Sequence, residues 1–413
     1  MNIITSFIEN NFAPLFQKMN TMPYFRGLRN GMTATVPFTI VGSFFIIFQQ
    51  FPVDAWQTLI APYKAMLGVP NTMTIGIIAL YVAFAIAYNC AKEVKVDGMS
   101  AGLLSVMAFM MMQIEYEEFT LVTGSLGSRG IFPAILLAML VVKVMHIFQE
   151  KNWTIKFPDG VPPAVSKAFA SLYPAMLIMI VMFVVSVVLK IQIQEIIVKA
   201  FSPLVFALNT LPGILVYMLF AQLLWSAGIH GMSIMNTVGT PIFLSYITAN
   251  MEASVAGQAI PYITAAGFIQ NFVSIGGTGA TLALTFLMAR SKEEGFRTLG
   301  KLTIPTGIFN INEPVIFGFP LVLNPTMMLP FVFIPLFNAT TSYLLMYFNI
   351  IGRPVAQVPW IMPAPIAAFL QTGDWKAAVW STMLIIFAAI FYYPFFKAAE
   401  KERLDAEVVV AAE

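Results

Sequence analysis

Long stretches of this chain contain no Asp, Glu, Lys or Arg, among them 30–53, 65–91, 168–189, 200–251, 253–289, 314–352 and 377–396. Most are long enough to cross a hydrocarbon layer, which takes roughly 20 apolar residues as a helix. Of the 413 residues, 59% are hydrophobic and 10% charged, whereas a soluble domain carries about a quarter charged residues. This balance excludes disorder, a nucleic-acid binder and an ordinary cytosolic enzyme. It describes an all-α polytopic membrane protein with the lipid bilayer as its solvent.

Spans are predicted near 32–50, 72–90, 98–114, 130–148, 171–190, 212–229, 262–289, 327–349 and 377–396, about ten in total. Irregular apolar stretches remain at 234–260, 303–325 and 355–371. Lys18, Arg26 and Arg29 precede the first span and place the N-terminus in the cytoplasm. The first 20 residues lack the basic start and continuous apolar core of a cleaved leader. They read as an amphipathic segment at the membrane surface, and 190–201 reads as an amphipathic connector. The long, proline-containing connection between Lys143 and Lys167 looks like a joint. It divides the chain into an N-terminal membrane half (1–168), a C-terminal membrane half (169–396) and a charged cytoplasmic tail (397–413). The basic loop 290–301 should also be cytoplasmic, yet three simple crossings between 171 and 289 would set it outside. Either one stretch re-enters without crossing, or the charge rule fails there.

The second half concentrates Gly, Pro and Asn in apolar surroundings: GIHGMSIMNTVGTP (228–241), SIGGTGATLAL (274–284) and TGIFNINEPVIFGFPLVLNP (306–325). Irregular backbone at membrane depth survives only where protein buries it or it lines a watery cavity. Broken helices of this kind often form the substrate site of a transporter. Glu313 is the only acidic residue between Glu294 and Asp374, and a carboxylate at the bilayer centre costs roughly 2.5–3.5 kcal/mol. Pro314 turns Glu313 away from the α region and removes the N–H that the Asn310 carbonyl would use in a helix. Asn310, Asn312 and Glu313 therefore gather hydrogen-bonding groups at a chain break. The plainer alternative is a structural Glu paired with a lysine at a helix end.

His230, flanked by Gly228 and Gly231 with Ile229 between, is the second candidate. Taken alone it is more often a packing residue; joined to a distant Glu it becomes a polar couple for proton handling or hydroxyl recognition. Trp225 and Trp360 suit stacking on the C–H faces of a sugar, although each also suits a membrane interface. His146, beside Lys143 at a span end, reads as interfacial. One cysteine and two histidines exclude a Cys-rich or His-rich metal site, and GGTGAT (276–281) lacks the ending of a phosphate-binding P-loop. No metal and no cofactor is expected.

At these residues the chain resembles a family. GIFNINEPVIFGFPLVLNP (307–325) is similar to the signature of the membrane-spanning enzyme IIC components of the phosphoenolpyruvate-dependent sugar phosphotransferase system, in the lactose/cellobiose (diacetylchitobiose) branch. RNGMTATVPFTIVGSFFIIF (29–48), VDGMSAGLLSVMAF (96–109), LLWSAGIHGMSI (223–234), GGTGATLAL (276–284) and VPWIMPAPIAAFLQTGDWKAAV (358–379) fit as well. The resemblance implies a homodimer in the bacterial cytoplasmic membrane, with about ten spans and two re-entrant hairpins. The N-terminal half makes the dimer contact and the C-terminal half holds one disaccharide. It implies further that Glu313 and His230 contact the hydroxyl to be phosphorylated, with Trp225, Trp360, Asn310 and Asn312 lining the site. The phosphoryl donor is then a separate, cysteine-phosphorylated enzyme IIB, and Cys90, in the membrane half, is not that donor. Two rivals stand beside this permease: a proton-coupled secondary sugar transporter using Glu313 and His230, and a membrane enzyme acting on lipid-linked substrates, which would want a second intramembrane acid or a metal.

Overall fold

The computed structural model describes residues 21–51, 53–115, 120–155, 169–226, 228, 230–319, 321 and 324–412. The amphipathic segment expected at 1–20 and the part of the joint from 156 to 168 lie outside them. The described residues are helical, with one isolated bridge between Ile114 and Leu121. Large apolar side chains stand exposed along many helices, among them Phe44, Leu103, Ile180, Ile386 and Ile390. A water-soluble surface scatters such residues singly; here they sit where hydrocarbon would be the solvent.

In the first half, α1 (Pro23–Gln50) is followed by short α2 (Asp54–Ile60) and α3 (Lys64–Thr74), then α4 (Ile78–Glu93), α5 (Gly98–Met112) and α6 (Ile131–Glu150). α1 packs on α4, which packs in turn on α5 and α6. The α1–α4 crossing is close because two glycines face it: a Cβ at Gly27 would stand 2.5 Å from the Cys90 Cα, and one at Gly31 2.6 Å from the Ile86 Cα. Small residues at such crossings let backbones approach within dispersion range.

The second half begins with α7 (Leu172–Met182), which continues as a π-turn over Phe183–Val188. The chain then bends by 90° into α8 (Ile193–Leu208), turning at Lys190 with φ 53°. α9 (Leu211–Ser226) and α10 (Gly231–Val255) follow. The 234–260 stretch, expected to be irregular, is thus largely one continuous helix. Its Pro241 and Gly239 are buried, and packing in a core outweighs their low helix propensity.

The opposite correction applies to 262–289, expected as one span. It contains a π-turn (Ile269–Val273), a non-helical loop, and the two-turn α11 (Leu282–Met288). Gly276, Gly277 and Gly279 hold positive φ there, a conformation that ends a helix and that glycine adopts without a Cβ penalty. One of the three crossings that would have set the basic 290–301 loop outside is therefore not a simple span. α12 (Glu294–Ile308), α13 (Glu313–Gly318), α14 (Pro325–Tyr347), α15 (Ala364–Thr372) and α16 (Trp375–Ala412) complete the chain.

Among the described residues, five helical runs are long and apolar enough to cross a bilayer, and the bent α7–α8 pair makes a sixth. α5 and α9 are apolar but shorter. Polar contacts tie α1 and the loop before α6 to the later chain. Glu252 on α10 accepts from the Ser128 N–H at 2.8 Å and from its hydroxyl at 2.6 Å. Ser254 donates to Gln50, and Ser43 accepts from the Gln357 N–H. Farther along, Glu400 on α16 is buried and accepts from the Ser291 hydroxyl, the Lys292 N–H and Lys397. That cluster fastens the last helix to the corner between α11 and α12.

Candidate functional site

Four interruptions of helical backbone meet in the second half. The first separates α9 from α10, with Gly228 at φ 81°. His230 ends it as the N-cap of α10, where its Nδ1 accepts the Ser233 N–H at 3.1 Å. An accepting Nδ1 carries no proton, so in the neutral ring the proton sits on Nε2. The second lies between α12 and α13. Asn310 turns the chain with φ 62°, a left-handed conformation that asparagine tolerates better than most residues. Asn312 is the N-cap of α13, and Glu313 and Pro314 are its first two residues. Proline fits there because the N–H it lacks has no helical partner at that position.

These two breaks face each other. His230 Nε2 and Glu313 Oε1 are 3.9 Å apart, with side chains 51% and 49% exposed. The separation is too long for a direct hydrogen bond. It leaves room for one oxygen to sit about 2.8 Å from each, accepting from Nε2–H and donating to the carboxylate. The expectation of a carboxylate buried in protein is corrected here: about half of the Glu313 side chain opens to space that protein does not fill. Its neighbour at this gap among the described residues is a histidine, not a lysine.

The third break is the glycine loop before α11, and the fourth the non-helical stretch before α15. Asparagines of the second break join it to the third and the fourth. Asn310 accepts the Gly276 N–H at 2.9 Å and donates to the Trp360 and Met362 carbonyls at 2.8 and 3.2 Å. Asn312, only 4% exposed, donates to the Thr278 carbonyl and the Thr281 hydroxyl, each at 2.7 Å. Each such bond contributes about 0.5–1.5 kcal/mol net, and a buried amide left without one costs more. Both asparagines were expected to contact a ligand directly. In the structure their amides hold the walls of the site together.

Trp225, at the end of α9, lies against His230 with ring centroids 4.3 Å apart and against Phe317 at 6.4 Å. It is 2% exposed, whereas Trp360 is 55% exposed. All six residues singled out in the sequence therefore belong to one neighbourhood, with Trp360 joined to it through Asn310. His146 lies apart, 3.3 Å from Glu150 one helical turn on. Thr278 and Thr281 also belong to the walls, and the buried Gln222 lies one helical turn from Trp225 on α9; all three escape sequence reasoning. Thr278 and Thr281 carry no pattern of their own. Gln222 had one available signal, as a lone amide inside an apolar helix.

A many-helix apolar protein whose backbone breaks converge on a half-open histidine–carboxylate gap belongs to the class of membrane transporters. The family model "Phosphotransferase system, EIIC" matches residues 29–335. The chain is 34% identical to the lichenan permease IIC component of Bacillus subtilis (strain 168), over 98% of this chain and 96% of that one. It is 32% identical to the cellobiose-specific EIIC component of Geobacillus stearothermophilus, over 97% and 95%. Its fold matches the crystal structure of ChbC, the IIC component of the N,N′-diacetylchitobiose-specific phosphotransferase system. That match has a TM-score of 0.91 at 30% identity and covers 97% of this chain and 99% of that one. This chain belongs to the EIIC family of the phosphotransferase system, in the branch of the lactose- and cellobiose-type permeases.

Proposed function

We propose that this EIIC permease carries a β-linked disaccharide of the cellobiose, diacetylchitobiose or lactose type across a bacterial cytoplasmic membrane, and that a separate phosphorylated enzyme IIB then phosphorylates it. The observation that carries the reading is the 3.9 Å gap between His230 Nε2 and Glu313 Oε1, which fits one sugar hydroxyl. His230 donates to the hydroxyl oxygen and Glu313 accepts its proton. As that oxygen attacks phosphorus, the P–S bond to the donor cysteine breaks, the electron pair leaves on sulfur, and the proton stays on Glu313. Asn310 and Asn312 act as positioning residues, the exposed Trp360 ring offers a face to the sugar, and the buried Trp225 ring backs His230. Once Glu313 has released that proton it is a carboxylate again, and its charge opposes the return of the anionic product through the same gap.

The reading further places both termini in the cytoplasm, counts about ten spans with two re-entrant hairpins, and makes the dimer contact through residues 1–168. Purified protein in proteoliposomes, loaded with its cognate phosphorylated IIB, tests the function directly. Sugar phosphate should accumulate whether or not a proton gradient is imposed, and Glu313→Gln should abolish it. Uptake driven by a proton gradient without a phosphoryl donor would establish the proton-coupled transporter instead.

A further inference from the structure

Gln222 lies inside the apolar sequence of α9, is fully buried, and has no hydrogen-bond partner among the described residues for either Nε2 or Oε1. Three residues on, the indole Nε1–H of Trp225 is buried and equally without a partner. Residues three apart share a helix face. Helical side chains also lean toward the N-terminus, which brings the Trp225 ring back over the turn that carries Gln222. Two kinds of donor and one acceptor thus stand together, behind a ring that rests on His230. Buried polar groups without partners reduce stability, and a leucine or methionine fills the same volume with no such loss. A glutamine kept there has a partner at some stage of the protein's work.

Resting on the sugar-permease reading, we infer that Gln222 is a further sugar-recognition residue. Its amide, with the Trp225 N–H, forms an inner hydrogen-bonding subsite that takes hydroxyl or acetamido groups of the bound disaccharide when the Trp225 ring shifts off His230. An amide that both donates and accepts matches a vicinal hydroxyl pair or an N-acetyl group, so this position also tunes the choice between plain and N-acetylated sugars.

The test is sugar binding by the purified full-length protein without any phosphoryl donor, using cellobiose and N,N′-diacetylchitobiose as titrants, together with thermal unfolding of each variant. Gln222→Leu should weaken binding of the preferred sugar by about tenfold, the equivalent of about 1.4 kcal/mol, with Tm unchanged or raised. If leucine lowers Tm, the flexible Gln222→Met replaces it and is judged the same way. Unchanged affinity in a stable variant, whatever happens to Tm, overturns the inference and leaves Gln222 as packing or a water site. A loss of affinity equal for both sugars and accompanied by a lower Tm in both variants also overturns it, as general damage. A wild-type protein that binds neither sugar, nor any other β-linked disaccharide, sinks the permease reading itself.

Discussion

Replacing Gly277 with alanine should disable the proposed sugar site indirectly, through the Asn312 side chain that packs against it. Gly277 sits at φ 97°, a conformation that strains any L-residue by about 1–3 kcal/mol. A Cβ there would stand 2.3 Å from Asn312 Cγ and 2.4 Å from its Oδ1, so Asn312 must move. Moving it breaks the two bonds to Thr278 and Thr281, worth about 0.5–1.5 kcal/mol each. Together these terms come to about 2–6 kcal/mol, applied to the residue immediately before Glu313. If sugar binding must restore the wall, about 3 kcal/mol of this weakens affinity by roughly a hundredfold. Gly257→Ala is the control: it has φ 65° but nothing within 4 Å of the added Cβ, and it should leave affinity unchanged. Titration calorimetry on the two variants and the wild type makes the comparison. Gly277→Ala binding sugar within about threefold of wild type would refute the claim that Asn312 holds the site in shape.

Three further expectations follow from other contacts. His230→Asn should retain the helix cap, since asparagine is a favoured N-cap residue, yet lose the Nε2 donor; sugar affinity should fall while Tm stays close to wild type, as calorimetry and unfolding would show. Glu252→Ala should destabilise the protein by about 1–3 kcal/mol, because the Ser128 N–H and hydroxyl both lose their acceptor; thermal unfolding checks it, with Ser128→Ala expected to be milder. Glu400→Ala should leave Ser291, Lys292 and Lys397 without their shared acceptor and speed proteolysis of the segment beyond Phe396; unchanged digestion would mean that the corner is held elsewhere.

What the sequence discloses here depends on whether a rule is local. The break before Glu313 is legible because proline cannot continue a helix from the turn before it, but the expectation that Pro314 holds Glu313 out of the α region is corrected: Asn312 takes the N-cap and Glu313 is the first helical residue, where a following proline is tolerated. The loop at Gly276–Gly279 was equally visible, but the hydropathy around it argued for a span and concealed the interruption. At 231–255 the error ran the other way. Glycine, proline and asparagine suggested irregularity, yet Tyr217 packs 2.4 Å from where a Gly239 Cβ would be and hydrogen-bonds Asn236, contacts from a neighbouring helix that no local rule anticipates. The pairing of His230 with Glu313 spans two separate breaks and becomes visible only in three dimensions. So does the work of Asn310 and Asn312, whose partners lie in the glycine loop and beside Trp360.

The last helix, α16, runs for 38 residues without interruption at Pro394. At 1.5 Å per residue it is about 57 Å long, roughly twice the thickness of a hydrocarbon layer. Its surplus is stiff rather than slack, because Glu400 pins it where it leaves the bundle. Such a mast works as a lever. A straight rod of that length, held at Glu400, turns a small rotation at its root into a displacement that grows with distance along the arm.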